Sequence, residues 1–339
     1  MEPLRDVDTI EPLKQVYQFT WFDWFCLWYP PGWLILFNRH WQRYKGDPDG
    51  WNWLEYLLFL IPGGFYVALL IRWLRLGCRL PRPQNEQFNL SYQQHFSEEI
   101  LAPIIKHYFR AQLHQTENLP ATESFIVAMN HAGMCFPWDF LSLGYLLSNT
   151  QPGWVLQPLA DVSLFEHPWL IWWLPPGWAK VMGGVRAEMD DFEQAIEQKT
   201  ILLYAPEGLR GPSKGWQKRH QLETFDLSFM RLSEVSSIPI LPVVCMGNEY
   251  LHSWAFNIKR LAKRLQLPFL PLSPLIFVFL LFPSMGVWAA RSKLDYYIQP
   301  LYKTAPATEN SPGKVRSRFY KQAQGLREKM QSIIAMQRD

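Results

Sequence analysis

This chain of 339 residues predicts an α/β fold, a mixed sheet flanked by helices, with a membrane-associated hairpin region ahead of it. Three observations lead there. Four apolar runs of strand length, Phe125–Met129, Val181–Val185, Ile201–Tyr204 and Ile238–Val244, place polar residues at comparable points, as strands feeding one crevice at a sheet edge would. Helical patterns fall around Glu98–Arg110 and from Val315 onward, where Val315, Phe319, Ala323, Leu326, Met330, Ile333 and Ile334 recur every three or four positions. Finally, the chain holds 17 Trp, 22 Phe and 14 Tyr, and so many amphipathic rings suit a lipid–water boundary.

The N-terminal region, 1–85, contains two apolar stretches. Phe19–Phe37 carries Asp23 and is broken at Pro30-Pro31-Gly32; Tyr56–Ile71 has Pro62-Gly63-Gly64 at its centre. A straight spanning helix needs about 20 apolar residues, so both are short or interrupted. Arg39, Arg43 and Lys45 precede the second stretch and Arg72, Arg75 and Arg79 follow it. Positive charge on both flanks favours a hairpin dipping into one leaflet, with both ends on the cytoplasmic side, over a single crossing. The tryptophans Trp21, Trp24, Trp28 and Trp33 are expected to resist burial in a core. Pro81–Asn85 reads as a linker into a second region, 86–305. Inside it, Leu267–Ala290 is uncharged but carries Pro268, Pro271, Pro274 and Pro283, which predicts an apolar loop rather than a regular helix. Residues 306–339 form a linker and the amphipathic helix, whose plainest role is docking on its own core.

The chemistry concentrates at the strand ends. His131 follows the first run, and Asp139 lies eight positions further on. A carboxylate holding one ring nitrogen leaves the other free to take a proton from a hydroxyl. A histidine at a strand end is also often only a satisfied structural residue. After the third run come Glu207, Gly208 and Arg210, where the glycine lets backbone approach a ligand and Glu207 and Arg210 either bind substrate or brace the turn. Lys214 reads as a solvated charge. Cys135 lies between Met134 and Phe136, and an apolar setting keeps a thiol protonated and inert. His167, His220 and His252 show no metal-ligand spacing, and the four cysteines are too scattered for a disulfide framework. A net charge of +3 is too balanced for a nucleic-acid binder.

With Asn130-His131…Asp139, Gly184-Val185-Arg186, Pro206-Glu207-Gly208-Leu209-Arg210 and Pro239–Val243 in this order, the chain resembles the lysophospholipid acyltransferase (PlsC-like) superfamily over roughly 95–305. The usual first block places its Asp five residues after the His, where this chain has Phe136. The longer loop is similar to a branch that includes mono- and diacylglycerol acyltransferase-like proteins. The resemblance implies a catalytic pair of His131 and Asp139, and substrate binding by Asn130, Arg186, Glu207, Gly208 and Arg210. It implies transfer of a fatty acyl group from acyl-CoA or acyl-carrier protein to the hydroxyl of a lysophospholipid or other glycerolipid, with no metal and no cofactor beyond the donor. Acylation of a neutral acceptor such as diacylglycerol, an isoprenoid alcohol or a quinol is the alternative. A lipid hydrolase or a non-catalytic membrane scaffold are rivals of another class. Membrane lipids are the expected partners, at the cytoplasmic face.

Overall fold

A computed structural model describes residues 17–82, 87–121, 124–131, 136–151, 153–160, 173–186, 189–198, 200–264, 271–304 and 312–338. Its centre is a seven-stranded sheet in the order β1-β9-β6-β2-β5-β3-β4, from β1 (Gln112–His114), β2 (Ile126–Met129), β3 (Leu156–Ala160), β4 (Val185–Arg186), β5 (Ile201–Tyr204), β6 (Ile240–Met246) and β9 (Asp295–Ile298). The pairs run parallel except β6 with β9, so the sheet is mixed, as the sequence predicts. The central strands β2, β5 and β6 are continuous apolar runs because helices cover both faces. A separate short ribbon pairs β7 (Phe256–Asn257) with β8 (Pro271–Leu272).

Among the described residues, the α-helices of six residues or more are α1 (Trp21–Trp28), α2 (Trp33–Lys45), α3 (Trp53–Phe59), α4 (Gly64–Arg75), α5 (Leu90–Phe96), α6 (Trp138–Thr150), α7 (Met189–Glu197), α8 (Ser228–Val235), α9 (Lys259–Arg264), α10 (Ile276–Leu281) and α11 (Pro312–Arg338). The helix expected at Glu98–Arg110 begins earlier, at Leu90, and continues with wider π-type turns to Phe109. Leu267–Ala290 is not simply a loop. Where it is described it holds β8 and then the six-residue α10, which its flanking prolines, Pro274 and Pro283, limit rather than abolish. Helix α11 docks Phe319, Ala323, Leu326, Met330 and Ile334 into the core beside β6.

The first core cluster crosses the expected boundary at residue 85. Trp33, Phe37 and Trp41 of α2 are fully buried, and the Trp33 ring meets Trp138 of α6 at 4.9 Å and Phe109 at 5.9 Å. Trp33 therefore departs from its tryptophan neighbours. It is 0% exposed where Trp21 is 80% exposed. The difference comes from the Pro30-Pro31 corner, which turns α2 inward while α1 stays at the surface. A buried polar knot fixes this arrangement. Glu99 accepts hydrogen bonds from the Tyr17 amide and the Tyr44 hydroxyl, and His40 Nε2 lies 3.0 Å from its other oxygen.

Helices α3 and α4 form the expected hairpin, with the turn at Leu60–Gly63. Its charges are used internally: Arg75 pairs with Glu55, Arg79 with Asp49, and Arg72 stacks 4.1 Å over Trp51 while donating to the Asp49 carbonyl. Leu54, Leu57, Ile61, Val67, Leu70 and Leu74 are left exposed. Helix α10 joins this face, where the Gly63 amide donates to the Leu281 carbonyl at 2.7 Å and Tyr66 Oη to the Leu280 carbonyl at 2.9 Å. Among the described residues no helix is long and apolar enough to cross a membrane.

Candidate active site

The ends of β2, β5 and β6 lie side by side, and the turns that follow them build one polar site. His131 leaves β2, and its Nδ1 lies 2.8 Å from Asp139 Oδ2. The lengthened loop does not separate the pair. Asp139 sits in the first turn of α6, where a carboxylate suits the positive helix end and accepts from the Phe140 amide at 3.0 Å. Tyr296 of β9 donates its hydroxyl to the Asp139 carbonyl at 2.7 Å, and Trp138 donates to the Val287 carbonyl, so the start of α6 is pinned from two sides.

Burial works to lower the His131 pKa, but Asp139, with help from Glu207, holds it above its ordinary value of 6.5. Burial likewise works to raise Asp139, and the imidazole, together with Asn248 and the Phe140 amide, holds its carboxyl below the usual range. The carboxylate stays charged, and the ring that it holds by Nδ1 has Nε2 available at a side chain that is 15% exposed. An imidazole held in this way can act as a general base.

Glu207 sits apart from solvent at 0% exposure. One oxygen accepts from the His131 amide at 3.3 Å; the other accepts from Lys214 Nζ at 3.1 Å and from the Glu223 amide at 2.7 Å. Glu207 thus braces the histidine backbone. Lys214 corrects the expectation of a solvated charge, since its side chain is only 3% exposed and pairs with Glu207. Burial of that carboxylate required a cation, and the turn supplies one seven residues on. Arg210 is exposed, and its Nε reaches the Glu207 carbonyl at 3.4 Å. Gly208 holds φ +54 in open space, so its glycine answers a left-handed turn. The close approach belongs to Gly211, where a Cβ would stand 2.3 Å from the His131 carbonyl oxygen.

Asn130 turns inward, with its amide donating to the Cys245 carbonyl at 2.9 Å and accepting from the Cys245 amide at 2.7 Å. Both functions of the side chain are spent on joining β2 to β6. Arg186 belongs to the edge strand β4, three strands from β2 and so roughly 14 Å away across the sheet; its side chain lies outside the described residues. Cys135 and His167 also lie outside them. Two further residues complete the site, Asn248, which donates to Asp139 at 3.1 Å, and Tyr296; neither has a local pattern in the sequence to reveal it. Beside Lys214 a small cavity is lined by Trp216, Arg219, Glu249 and His252, where burial lowers His252 to about 4 and raises Glu249.

Residues 110–246 match the family model described as Acyltransferase. Over these residues the chain is similar to acyltransferases. Curated proteins of Mycobacterium tuberculosis and Mycobacterium bovis, both described as uncharacterized, are 27% identical to it over 190 residues, 54% of this chain and 51% of theirs. One from Mycobacterium leprae is 27% identical over 190 residues, 54% and 50% of the two chains. The chain spans about half the length of the curated relatives it matches. A crystal structure described as the 1-acyl-sn-glycerophosphate (LPA) acyltransferase PlsC of Thermotoga maritima aligns with 87% of this chain and 96% of its own, at 14% identity and a TM-score of 0.38, too loose a likeness to argue from.

Proposed function

We propose that the enzyme moves a fatty acyl group from an acyl-CoA or acyl-carrier-protein thioester to the hydroxyl of a lysophospholipid or related glycerolipid. The observation that carries this reading is the His131–Asp139 pair just past the end of β2. His131 Nε2 takes the hydroxyl proton as the oxygen bonds to the thioester carbonyl carbon. When the C–S bond breaks, the leaving thiolate takes that proton from the imidazolium. Asp139 fixes the tautomer and offsets the transient positive charge.

The acceptor reaches the site from a membrane. The exposed faces of α1, α3, α4 and α10, with Trp21, Leu57, Leu70 and Phe277, support this, because an apolar surface of that extent suits lipid better than water. Arg39, Arg72 and Arg75 are engaged on the protein side of the hairpin, leaving its tip free of charge. A neutral acceptor is the second reading, favoured by one observation. The buried Lys214 is already neutralised by Glu207 and so is not held in reserve for a phosphate.

The test gives the purified protein labelled acyl-CoA with a panel of lysolipids and neutral alcohols in mixed micelles. Acylated lysolipid is the expected product, and His131→Ala lowers its formation by about 10²–10⁴-fold. Free fatty acid in place of acylated lipid would mark a hydrolase. A His131→Ala protein as active as the parent would end the general-base reading.

A further inference from the structure

The dyad explains how a base is held, but not what keeps the carboxylate itself from turning. Asp139 Oδ1 is occupied by the Phe140 amide, whereas Oδ2 receives two groups, His131 Nδ1 at 2.8 Å and Asn248 Nδ2 at 3.1 Å. Asn248 belongs to the turn that follows β6, 109 positions from Asp139, and is 1% exposed. Its amide also donates to the carbonyl of Asn130 at 3.3 Å, the residue before the histidine. Both neighbours are acceptors only, so the amide nitrogen must face them, and its two hydrogens are both used.

The arrangement is reciprocal. Asn130 spends its side chain on the backbone of Cys245, three residues before Asn248, and Asn248 returns a hydrogen bond to the backbone of Asn130. The end of β2 is thereby clasped to the end of β6, and the free arm of the clasp reaches the catalytic carboxylate. We infer that Asn248 is a positioning residue which fixes the Asp139 carboxylate against His131 and couples its orientation to the joined ends of β2 and β6. The inference rests on the general-base reading of His131.

A donor to an anion does more than hold it in place. Each hydrogen bond to a carboxylate makes it a weaker base, so the dyad with Asn248 in place releases a proton from His131 more readily than the dyad without it. Removing Asn248 therefore makes His131 hold its proton to higher pH as well as loosening its partner. A residue that only contributed to folding would change the amount of active enzyme and leave the pH dependence untouched.

The experiment compares the full-length parent with Asn248→Ala and Asn248→Ser, after matching folded fractions by thermal unfolding. The expected result is a fall in kcat of about 10–100-fold for Ala, with KM within about twofold, and an acid limb moved to higher pH. Ser, which keeps a shorter donor, should fall between the two. Nitrogen-15 histidine NMR, with His131 assigned by its Ala variant, reads the same displacement without any turnover. An Asn248→Ala protein whose kcat, acid limb and His131 titration all match the parent would overturn the inference, as would a loss of rate that only follows the folded fraction. Because the titration needs no catalysis, it separates failure of this inference from failure of the general-base reading, which an active His131→Ala protein would reveal.

Discussion

The N-terminal hairpin and the site at the sheet edge treat charge in opposite ways. In the hairpin, ions pair among themselves on the protein side, Glu55 with Arg75 and Asp49 with Arg79, and aliphatic side chains face outward. At the sheet edge the apolar runs are buried, and the ions are gathered just past the strand ends: Asp139 with His131, Glu207 with Lys214. Each region inverts the ordinary globular pattern for a local reason. The hairpin's medium is proposed to be lipid, in which an unpaired charge is costly. The site keeps charges in a protein interior, where each needs a partner and hydrogen bonds to remain ionised.

Substitutions in the two regions should therefore act differently. The largest expected losses of stability come where burial is complete. Trp33→Ala should cost about 3–5 kcal/mol through the cavity it opens beneath α6, read as a shift in the urea midpoint. Glu207→Ala should cost about as much, since it strands the Lys214 cation and frees the His131 amide; a Glu207→Ala, Lys214→Met double variant should recover part of that loss. Charges placed on the hairpin's exposed face act on binding instead. Leu57→Asp with Leu70→Asp should weaken sedimentation with lipid vesicles by about tenfold or more while leaving the unfolding midpoint within about 0.5 kcal/mol, and unchanged sedimentation would argue that this face meets something other than lipid.

Smaller effects distinguish the two regions further. Asp139 keeps the His131 pKa above its ordinary value against the effect of burial. As the proposed base, His131 must be neutral to act, so the parent's rate should decline as pH falls through a value above 6.5. In Asp139→Asn burial acts with less opposition, so the acid limb should move to lower pH even as the maximal rate drops. Smallest of all, Trp21→Ala should change stability by no more than about 0.5 kcal/mol, because that ring is exposed. A large effect at Trp21 would mean that α1 is held by more than its buried face.

What the sequence determined by itself was whatever depends on neighbours in the chain. The strands Ile126–Met129 and Ile201–Tyr204, the amphipathic helix and its docking, and the spacing that lets Asp139 return to His131 are all local patterns of apolar and polar residues. The short strand Leu156–Ala160 and the six-residue α10 escaped because one carries a polar Gln157 amid few residues and the other is boxed in by prolines. Only the tertiary structure decided which polar groups meet. That Trp33 is core and Trp21 is surface depends on the turn at Pro30. That Lys214 is buried depends on Glu207 already being there, and that Asn248 holds Asp139 depends on β6 lying beside β2. Partners separated by 109 positions in the chain leave no periodicity to read, since their meeting is set by the order of the strands rather than by the sequence around either one.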